Sequence, residues 1–125
     1  MTYDTTKELA ARVVARLIET GRTLATAESC TGGLVAKTIT DVNGCSAVFL
    51  GGVVSYANEI KENILGVKGE TLKKHGAVSE FTAMEMAEGV RRITGADYAI
   101  ATTGIAGPTG GSKHKPVGTV WMAVA

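Results

Sequence analysis

The hydrophobic positions near the N-terminus recur with the spacing of an α-helix. Over residues 5–20, Leu9, Val13 and Leu17 lie four residues apart, and Ile18 widens the apolar stripe. Gly21 follows this stretch, and glycine commonly stands just beyond the last residue of a helix. The pattern predicts an amphipathic helix that packs one face against a core.

Downstream, short apolar strands alternate with helices. The pattern predicts strands over residues 23–28, 47–56, 97–103 and 118–125, and helices over residues 33–41, 57–65, 69–75 and 80–94. Ser79 is placed to cap the last of these helices. Helices that alternate with largely apolar strands are typical of a sheet covered on both faces. We therefore expect a three-layer α/β/α sandwich with a mainly parallel or mixed sheet.

The length and composition fit one such domain. The chain has 125 residues, of which 45% are hydrophobic and 20% charged, as in an ordinary globular domain. Residues 1–125 are thus expected to form a single domain. The sequence stops within the apolar stretch 118–125, which predicts that the last strand or helix segment of the domain lies beyond this sequence.

Charge and cysteine content narrow the range of partners. Thirteen basic and twelve acidic residues give a net charge of +1, which offers no long-range attraction for nucleic acid. Cys30 and Cys45 form no CxxC pair and are too few for a disulfide scaffold or a zinc site. The N-terminus lacks an apolar signal core, and no apolar run approaches the ~20 residues of a membrane span. We expect a cytoplasmic protein without metal, cofactor, nucleic acid or membrane partner.

A glycine-rich turn follows the first predicted strand. Residues 29–33 read Ser-Cys-Thr-Gly-Gly and lie at a strand-to-helix junction, where α/β folds place ligands. Glycines let the backbone approach a ligand, and free amides at the helix start can face an anion or a developing oxyanion. Ser29 is a candidate nucleophile, and Cys30 is its rival unless it is a small buried hydrophobe. The same spacing also fits a turn that only caps the helix.

A second segment offers proton acceptors. Tyr56 and Lys61 lie where the second predicted strand gives way to a helix, whereas His75 and His114 lie away from the glycine-rich strand ends. A serine with a lysine or tyrosine partner is therefore favoured over a Ser–His–Asp arrangement. A base lysine must be neutral, which requires its pKa to fall by ~3 units from about 10.4, or about 4 kcal/mol. A solvated lysine and a core tyrosine are the alternative interpretation.

A long loop separates the last two predicted strands. It runs for about fourteen residues, longer than most connections, and is either a binding loop or a flexible solvated one. Thr103 and the Gly104 amide are candidates for polarising a carbonyl, and Lys113 and Lys115 for meeting a phosphate.

Taken together, the ordered motifs resemble one known family. They lie at residues 27–33, 56–61, 65–67, 75–80, 104–108 and 115–120. From about residue 5 to its end, the chain resembles the C-terminal domain of the competence/damage-inducible CinA family. Members of this family usually continue for several tens of residues past the last strand of this sequence. The resemblance implies an α/β/α sandwich that forms homo-oligomers.

The resemblance also implies an activity. It indicates a nicotinamide-nucleotide amidohydrolase, which converts nicotinamide mononucleotide and water to nicotinic acid mononucleotide and ammonia in pyridine nucleotide recycling. Carried over by motif, Ser29 is the nucleophile, Tyr56 and Lys61 assist proton transfer, and Thr103 stabilises the oxyanion with backbone amides. The expected substrate-binding residues are Cys30, Thr31, Gly32, Gly33, Gly104, Ile105, Ala106 and Gly107.

Two points stay open at the level of sequence. Five residues along a helix turn through about 140°, so Tyr56 and Lys61 share a site only if Tyr56 precedes the first turn of its helix. A domain of another class also fits the motifs, namely a non-catalytic nucleotide-binding or interaction module linked to competence or DNA damage. In that module, the turn at residues 29–33 would only hold a phosphate.

Overall fold

The computed structural model describes residues 5–125. Its elements are α1 (Thr6–Thr20), β1 (Leu24–Glu28), α2 (Leu34–Thr40), β2 (Phe49–Val54), α3 (Asn58–Asn63), α4 (Gly69–His75), α5 (Glu80–Thr94), β3 (Tyr98–Gly104) and β4 (Val120–Val124), with a 3-10 turn at Cys45–Ala47 before β2. The predicted helices and strands all form, with small shifts at their ends.

The four strands form one mixed sheet in the order β2-β1-β3-β4. β1 runs parallel to both β2 and β3, whereas β4 pairs antiparallel with β3. Glu28, the last residue of β1, lies beside Val54 of β2 and Thr102 of β3. The carboxyl ends of the three parallel strands therefore meet at one edge of the sheet, where α/β folds place ligands.

One face of the sheet is covered by α5 and is lined by small residues. Ala25 and Ala27 of β1 and Ala99 and Ala101 of β3 are fully buried against this helix. Gly89 of α5 extends the close approach, because a Cβ at this position would overlap the backbone oxygen of the α3–α4 connection. The alanine face therefore brings α5 near the strands and gives a tightly packed layer.

The opposite face is covered by α1 and α2, which complete the predicted three-layer arrangement. Ala10, Val14 and Leu17 of α1 are buried in this second core. The sequence pattern places Leu9 and Ile18 on the buried face as well, but they are 42% and 49% exposed. Two adjacent apolar rows run along α1, and the helix packs on the sheet through the row of Ala10, Val14 and Leu17. The spacing of apolar residues alone does not show which of the two rows is buried.

The helix ends follow local chemistry. The Ser79 side chain accepts the Thr82 amide at 3.1 Å and caps α5, as predicted. Gly21 and Gly95 end α1 and α5 in the left-handed conformation, with φ of 66° and 75°. Within residues 5–125, none of the helices is long and apolar enough to cross a membrane.

Candidate active site

Two side chains from different elements meet at the carboxyl edge of the sheet. Ser29 directly follows β1, and Lys61 lies in the middle of α3. The Lys61 Nζ is 2.9 Å from the Ser29 Oγ. Both side chains are withdrawn from solvent, with 1% of Lys61 and 7% of Ser29 exposed. The predicted nucleophile and the predicted proton acceptor are thus in hydrogen-bond contact.

The surroundings of Lys61 set the direction of its lone pair when the amine is neutral. Its Nζ also lies 2.7 Å from the Ser55 carbonyl oxygen and 3.0 Å from the Tyr56 carbonyl oxygen. Carbonyl oxygens only accept hydrogen bonds, so they take both N–H groups of a neutral amine. The remaining lone pair then faces the Ser29 hydroxyl. Burial lowers the pKa of Lys61 below the ordinary lysine value and favours this neutral form.

Cys30 is placed less favourably than Ser29 for nucleophilic attack. It is half-buried and lines the same cavity as Ser29, whereas one alternative at the level of sequence made it a fully buried hydrophobe. Burial raises the pKa of its thiol above the ordinary value, so the thiol stays protonated near neutral pH. The hydrogen bond of Lys61 goes to the Ser29 hydroxyl and not to the thiol.

Tyr56 reaches the site through its backbone. It precedes α3, which begins at Asn58, and so meets the geometric condition for sharing a site with Lys61. The contact, however, is made by its carbonyl oxygen, while the side chain is 76% exposed at the rim of the cavity. The Tyr56 carbonyl oxygen therefore helps to orient the Lys61 amine. The phenol makes no hydrogen bond to Ser29 or Lys61.

Thr103 lines the cavity, and its hydroxyl already donates a hydrogen bond within the protein. Its Oγ1 donates to the Ala77 carbonyl at 2.7 Å, and only 1% of the residue is exposed. Because a hydroxyl has a single proton, this bond competes with donation to an oxyanion. The backbone amides of Cys30 and Ala106 donate to no carbonyl in the described part of the chain, and both residues line the cavity.

Glu28 is a structural member of the site that sequence reasoning missed. Its buried carboxylate accepts the amides of Gly33, Val35 and Ala36 at 3.2, 2.9 and 3.0 Å and the Thr31 hydroxyl at 2.6 Å. The expectation of free amides at the start of α2 is therefore wrong, because a carboxylate of the protein occupies them.

A signal for Glu28 was present in the sequence. The predicted helix follows Gly32 and Gly33, which have no side chain to cap it, so its first amides need an acceptor from elsewhere. Glu28 is the acidic residue nearest in the chain.

We name residues 29–33 the serine turn. Of the substrate-binding residues expected in this turn, Cys30 lines the cavity, whereas Thr31, Gly32 and Gly33 do not.

The cavity beside Ser29 has a volume of about 350 Å³. Besides the residues described above, its lining consists of two groups, Ala77 and Val78 before α5, and residues from the end of β3 and the loop that follows it, namely Gly104, Ile105, Ala106, Gly107, Thr109 and Gly110. Lys61 is the single charged side chain among the described residues that line it. Cys30 and the expected binding residues at 104–107 are therefore at the cavity.

The long loop between β3 and β4, residues 105–119, is named the glycine loop. Its base is closed by hydrogen bonds from the Ile105 amide to Thr119 O at 2.9 Å and from the Gly118 amide to Ile105 O at 2.7 Å. A Cβ on Gly107 would overlap the Val117 side chain, so this glycine serves the packing of the loop. The structure thus favours an ordered loop over the flexible alternative.

The lysines of the glycine loop are not placed to meet a phosphate in the cavity. Neither Lys113 nor Lys115 is part of the cavity lining, and Lys113 is exposed. The Lys115 Nζ donates to the His75 carbonyl oxygen at 2.6 Å. Within residues 5–125, no group of three His, Cys, Asp or Glu side chains is arranged to hold a metal ion.

Fold and site together define a class of protein: an α/β/α domain with a serine–lysine pair at the carboxyl edge of a mixed sheet. A family model described as the CinA C-terminal domain matches residues 6–125. The chain belongs to this family, and the resemblance of its motifs is confirmed.

Three relatives illustrate the match. A CinA-like protein of Thermotoga maritima is 51% identical over 123 residues, which are 98% of this chain and 30% of that protein. The crystal structure of the competence/damage inducible protein CihA from Agrobacterium tumefaciens has 47% identity and a TM-score of 0.94, covering 99% of this chain and 76% of that one. The competence damage-inducible protein A (ComA) of Klebsiella pneumoniae has 46% identity and a TM-score of 0.93, covering 97% and 75%.

Proposed function

We propose that the chain hydrolyses the carboxamide of nicotinamide mononucleotide, giving nicotinic acid mononucleotide and ammonia, with Ser29 as nucleophile and Lys61 as proton acceptor. The observation that carries the proposal is the buried 2.9 Å contact between Lys61 Nζ and Ser29 Oγ. The choice of substrate rests on the resemblance of the motifs to the family. The chain spans about a third of the length of its curated relatives, so the activity is proposed for this domain.

The first half of the proposed reaction forms an acyl-enzyme. The Ser29 oxygen attacks the amide carbon while its proton passes to the neutral Lys61 amine. The carbonyl oxygen becomes an oxyanion, for which the amides of Cys30 and Ala106 are candidate donors, because both residues line the cavity and neither amide donates to a backbone carbonyl. The Lys61 ammonium then returns its proton to the amide nitrogen, the C–N bond breaks, and ammonia leaves an ester on Ser29.

The second half releases the acid. Water enters the space left by ammonia and attacks the ester carbon while Lys61 accepts its proton. The ester C–O bond breaks, the proton passes to the Ser29 oxygen, and nicotinic acid mononucleotide leaves. The carbonyls of Ser55 and Tyr56 hold the amine in place through both halves. The proposal further takes the protein to be a cytoplasmic homo-oligomer that works without a cofactor.

The test is ammonia release from nicotinamide mononucleotide by the wild-type chain and by two neighbouring variants. Ser29→Ala is expected to lower kcat/KM by about 10³-fold or more, because it removes the attacking atom. Cys30→Ala, the matched control at the next residue, is expected to keep activity within about 3-fold, since the thiol is protonated and unbonded to Lys61.

The other outcomes of this experiment are informative. Full activity in Ser29→Ala together with its loss in Cys30→Ala would assign the attack to the thiol. No ammonia from the wild-type chain, combined with a rise in Tm on adding the nucleotide, would instead support the non-catalytic binding module.

A further inference from the structure

The Lys115 ammonium joins two distant parts of the chain. It donates at 2.6 Å to the carbonyl oxygen of His75, which lies forty residues earlier. His75 is the last residue of α4, where carbonyl groups lack partners within the helix and the helix dipole is negative. A cation is well matched to this position, and the bond is charge-assisted. Lys115 is half-buried, as this contact requires.

The carbonyl that Lys115 binds belongs to a segment held from three sides. The next carbonyl, that of Gly76, accepts the Thr82 hydroxyl of α5 at 2.7 Å. The one after it, that of Ala77, accepts the Thr103 hydroxyl of β3 at 2.7 Å. Three consecutive carbonyls are therefore bound by a helix, a strand and the glycine loop, and Lys115 supplies the bond from the glycine loop.

This segment and the glycine loop both contribute to the lining of the cavity. Ala77 and Val78 come from the segment, and residues 105–107 with Thr109 and Gly110 come from the glycine loop. Lys115 therefore joins two parts of the lining without being part of it. Its charge is engaged by a backbone oxygen, so it is not placed to face a ligand in the cavity.

We propose that Lys115 is a positioning residue of the amidase, which ties the glycine loop to the end of α4 and thereby sets the width of the substrate cavity. The inference rests on the proposed function. It predicts weaker binding of every substrate when the tie is cut, with the bond-breaking step at Ser29 and Lys61 left intact.

The kinetic test compares Lys115→Met with Lys74→Met on the full chain. Lys74 is an exposed residue of α4 that directly precedes His75, so its replacement changes the charge equally and leaves the tie in place. The substrates are nicotinamide mononucleotide and nicotinamide riboside, which lacks the phosphate. We expect Lys115→Met to raise KM about 10-fold for both substrates with kcat within about 2-fold of wild type, and Lys74→Met to change neither.

Two kinetic outcomes would overturn the proposal. A rise in KM confined to the phosphorylated substrate would show that Lys115 meets the phosphate. An unchanged KM for both substrates would show that the tie does not shape the cavity. Lys115→Arg keeps a cationic donor and is expected to recover most of the wild-type KM, which loss of packing alone does not predict.

A second readout separates failure of this inference from failure of the proposed function. In Lys115→Met, we expect the amides of Gly76 and Ser112, which are bonded to Leu72 O and Lys115 O, to exchange hydrogen about 10-fold faster. The Gly95 amide, at the end of α5, is the internal control and is expected to be unchanged. Unchanged exchange at Gly76 and Ser112 would refute the tie even if the chain released no ammonia.

Discussion

The serine turn and the glycine loop follow neighbouring parallel strands, yet they are held in different ways. The serine turn is fixed by the buried carboxylate of Glu28, which binds three amides and one hydroxyl. The glycine loop is fixed by its own backbone bonds, by the packing of Gly107 on Val117, and by the single tie of Lys115. The serine turn is thus anchored by a buried side chain, and the glycine loop by contacts near the surface.

This difference in anchoring implies different roles for the two segments: the serine turn holds the Ser29 hydroxyl, and the glycine loop lines the cavity. Ser29 follows Glu28 directly, so the network that orders α2 also fixes the hydroxyl that meets Lys61. The glycine loop is mostly exposed and has few buried contacts, which makes it the part that opens at lower free energy. We infer that changes in the serine turn act on the chemical step and on folding, whereas changes in the glycine loop act on substrate affinity.

The largest expected effect is at Lys61. Replacement by Met removes the proton acceptor, and we expect kcat/KM to fall about 10³-fold near neutral pH. In the proposed mechanism the neutral amine is the active form, so activity is expected to rise with pH as Lys61 loses its proton. Because burial lowers the pKa of Lys61, this rise should be centred below the ordinary lysine value of about 10.4.

The measurement is a pH–rate profile of ammonia release for both proteins. The residual rate of Lys61→Met should not follow the wild-type rise. A wild-type rate that falls over the same range would mean that the ammonium form is required and would contradict the assigned role.

The next effect is on folding and concerns Glu28. Glu28→Ala removes a buried carboxylate and leaves three amides at the start of α2 and the Thr31 hydroxyl without their acceptor, and we expect a loss of about 3 kcal/mol in the free energy of unfolding. Urea denaturation measures it. Glu59→Ala, an exposed carboxylate in the first turn of α3, is the control, with an expected change within about 0.5 kcal/mol. Equal effects would mean that the serine turn is not held by this network.

The smallest effect is in the glycine loop. Gly107 has a φ of 81°, and a Cβ there would overlap Val117, so Gly107→Ala combines backbone strain of about 1 kcal/mol with a clash. We expect KM for nicotinamide mononucleotide to rise about 5-fold with little change in kcat. Val117→Ala in the same chain should relieve the clash and recover part of the loss. A fall in kcat with unchanged KM would place the loop in the chemical step and break the comparison.

The sequence was sufficient to predict most of the fold and the central pair of the site. Hydrophobic periodicity predicted the helices and strands, and Gly21 marked the end of α1 because the left-handed conformation found there favours glycine. The two strand-to-helix junctions made Ser29 a candidate nucleophile with Lys61 or Tyr56 as proton acceptor, and the resemblance to the CinA family assigned these roles. The side of α1 that is buried was predicted only in part, since two apolar rows compete and tertiary packing decides between them.

Other parts of the site depend on contacts that sequence spacing does not encode. Glutamate is usually a surface residue, but Glu28 is buried, where its carboxylate accepts the first amides of a helix that has no capping side chain. Lys61 donates to the backbone carbonyl of Tyr56 and makes no hydrogen bond to its phenol. The Thr103 hydroxyl donates to the Ala77 carbonyl. Each of these outcomes is decided by where a segment far along the chain comes to lie.

The alanine face described above has a practical consequence for engineering. With Ala25, Ala27, Ala99 and Ala101 filling the space beneath α5, an added methylene there pushes apart a helix and two strands at once. A combinatorial library aimed at new amide substrates would therefore leave these four positions untouched. It would concentrate its diversity at the cavity-lining positions Ile105, Ala106 and Thr109, and would keep Gly107, Lys115 and Val117, which hold the glycine loop in place.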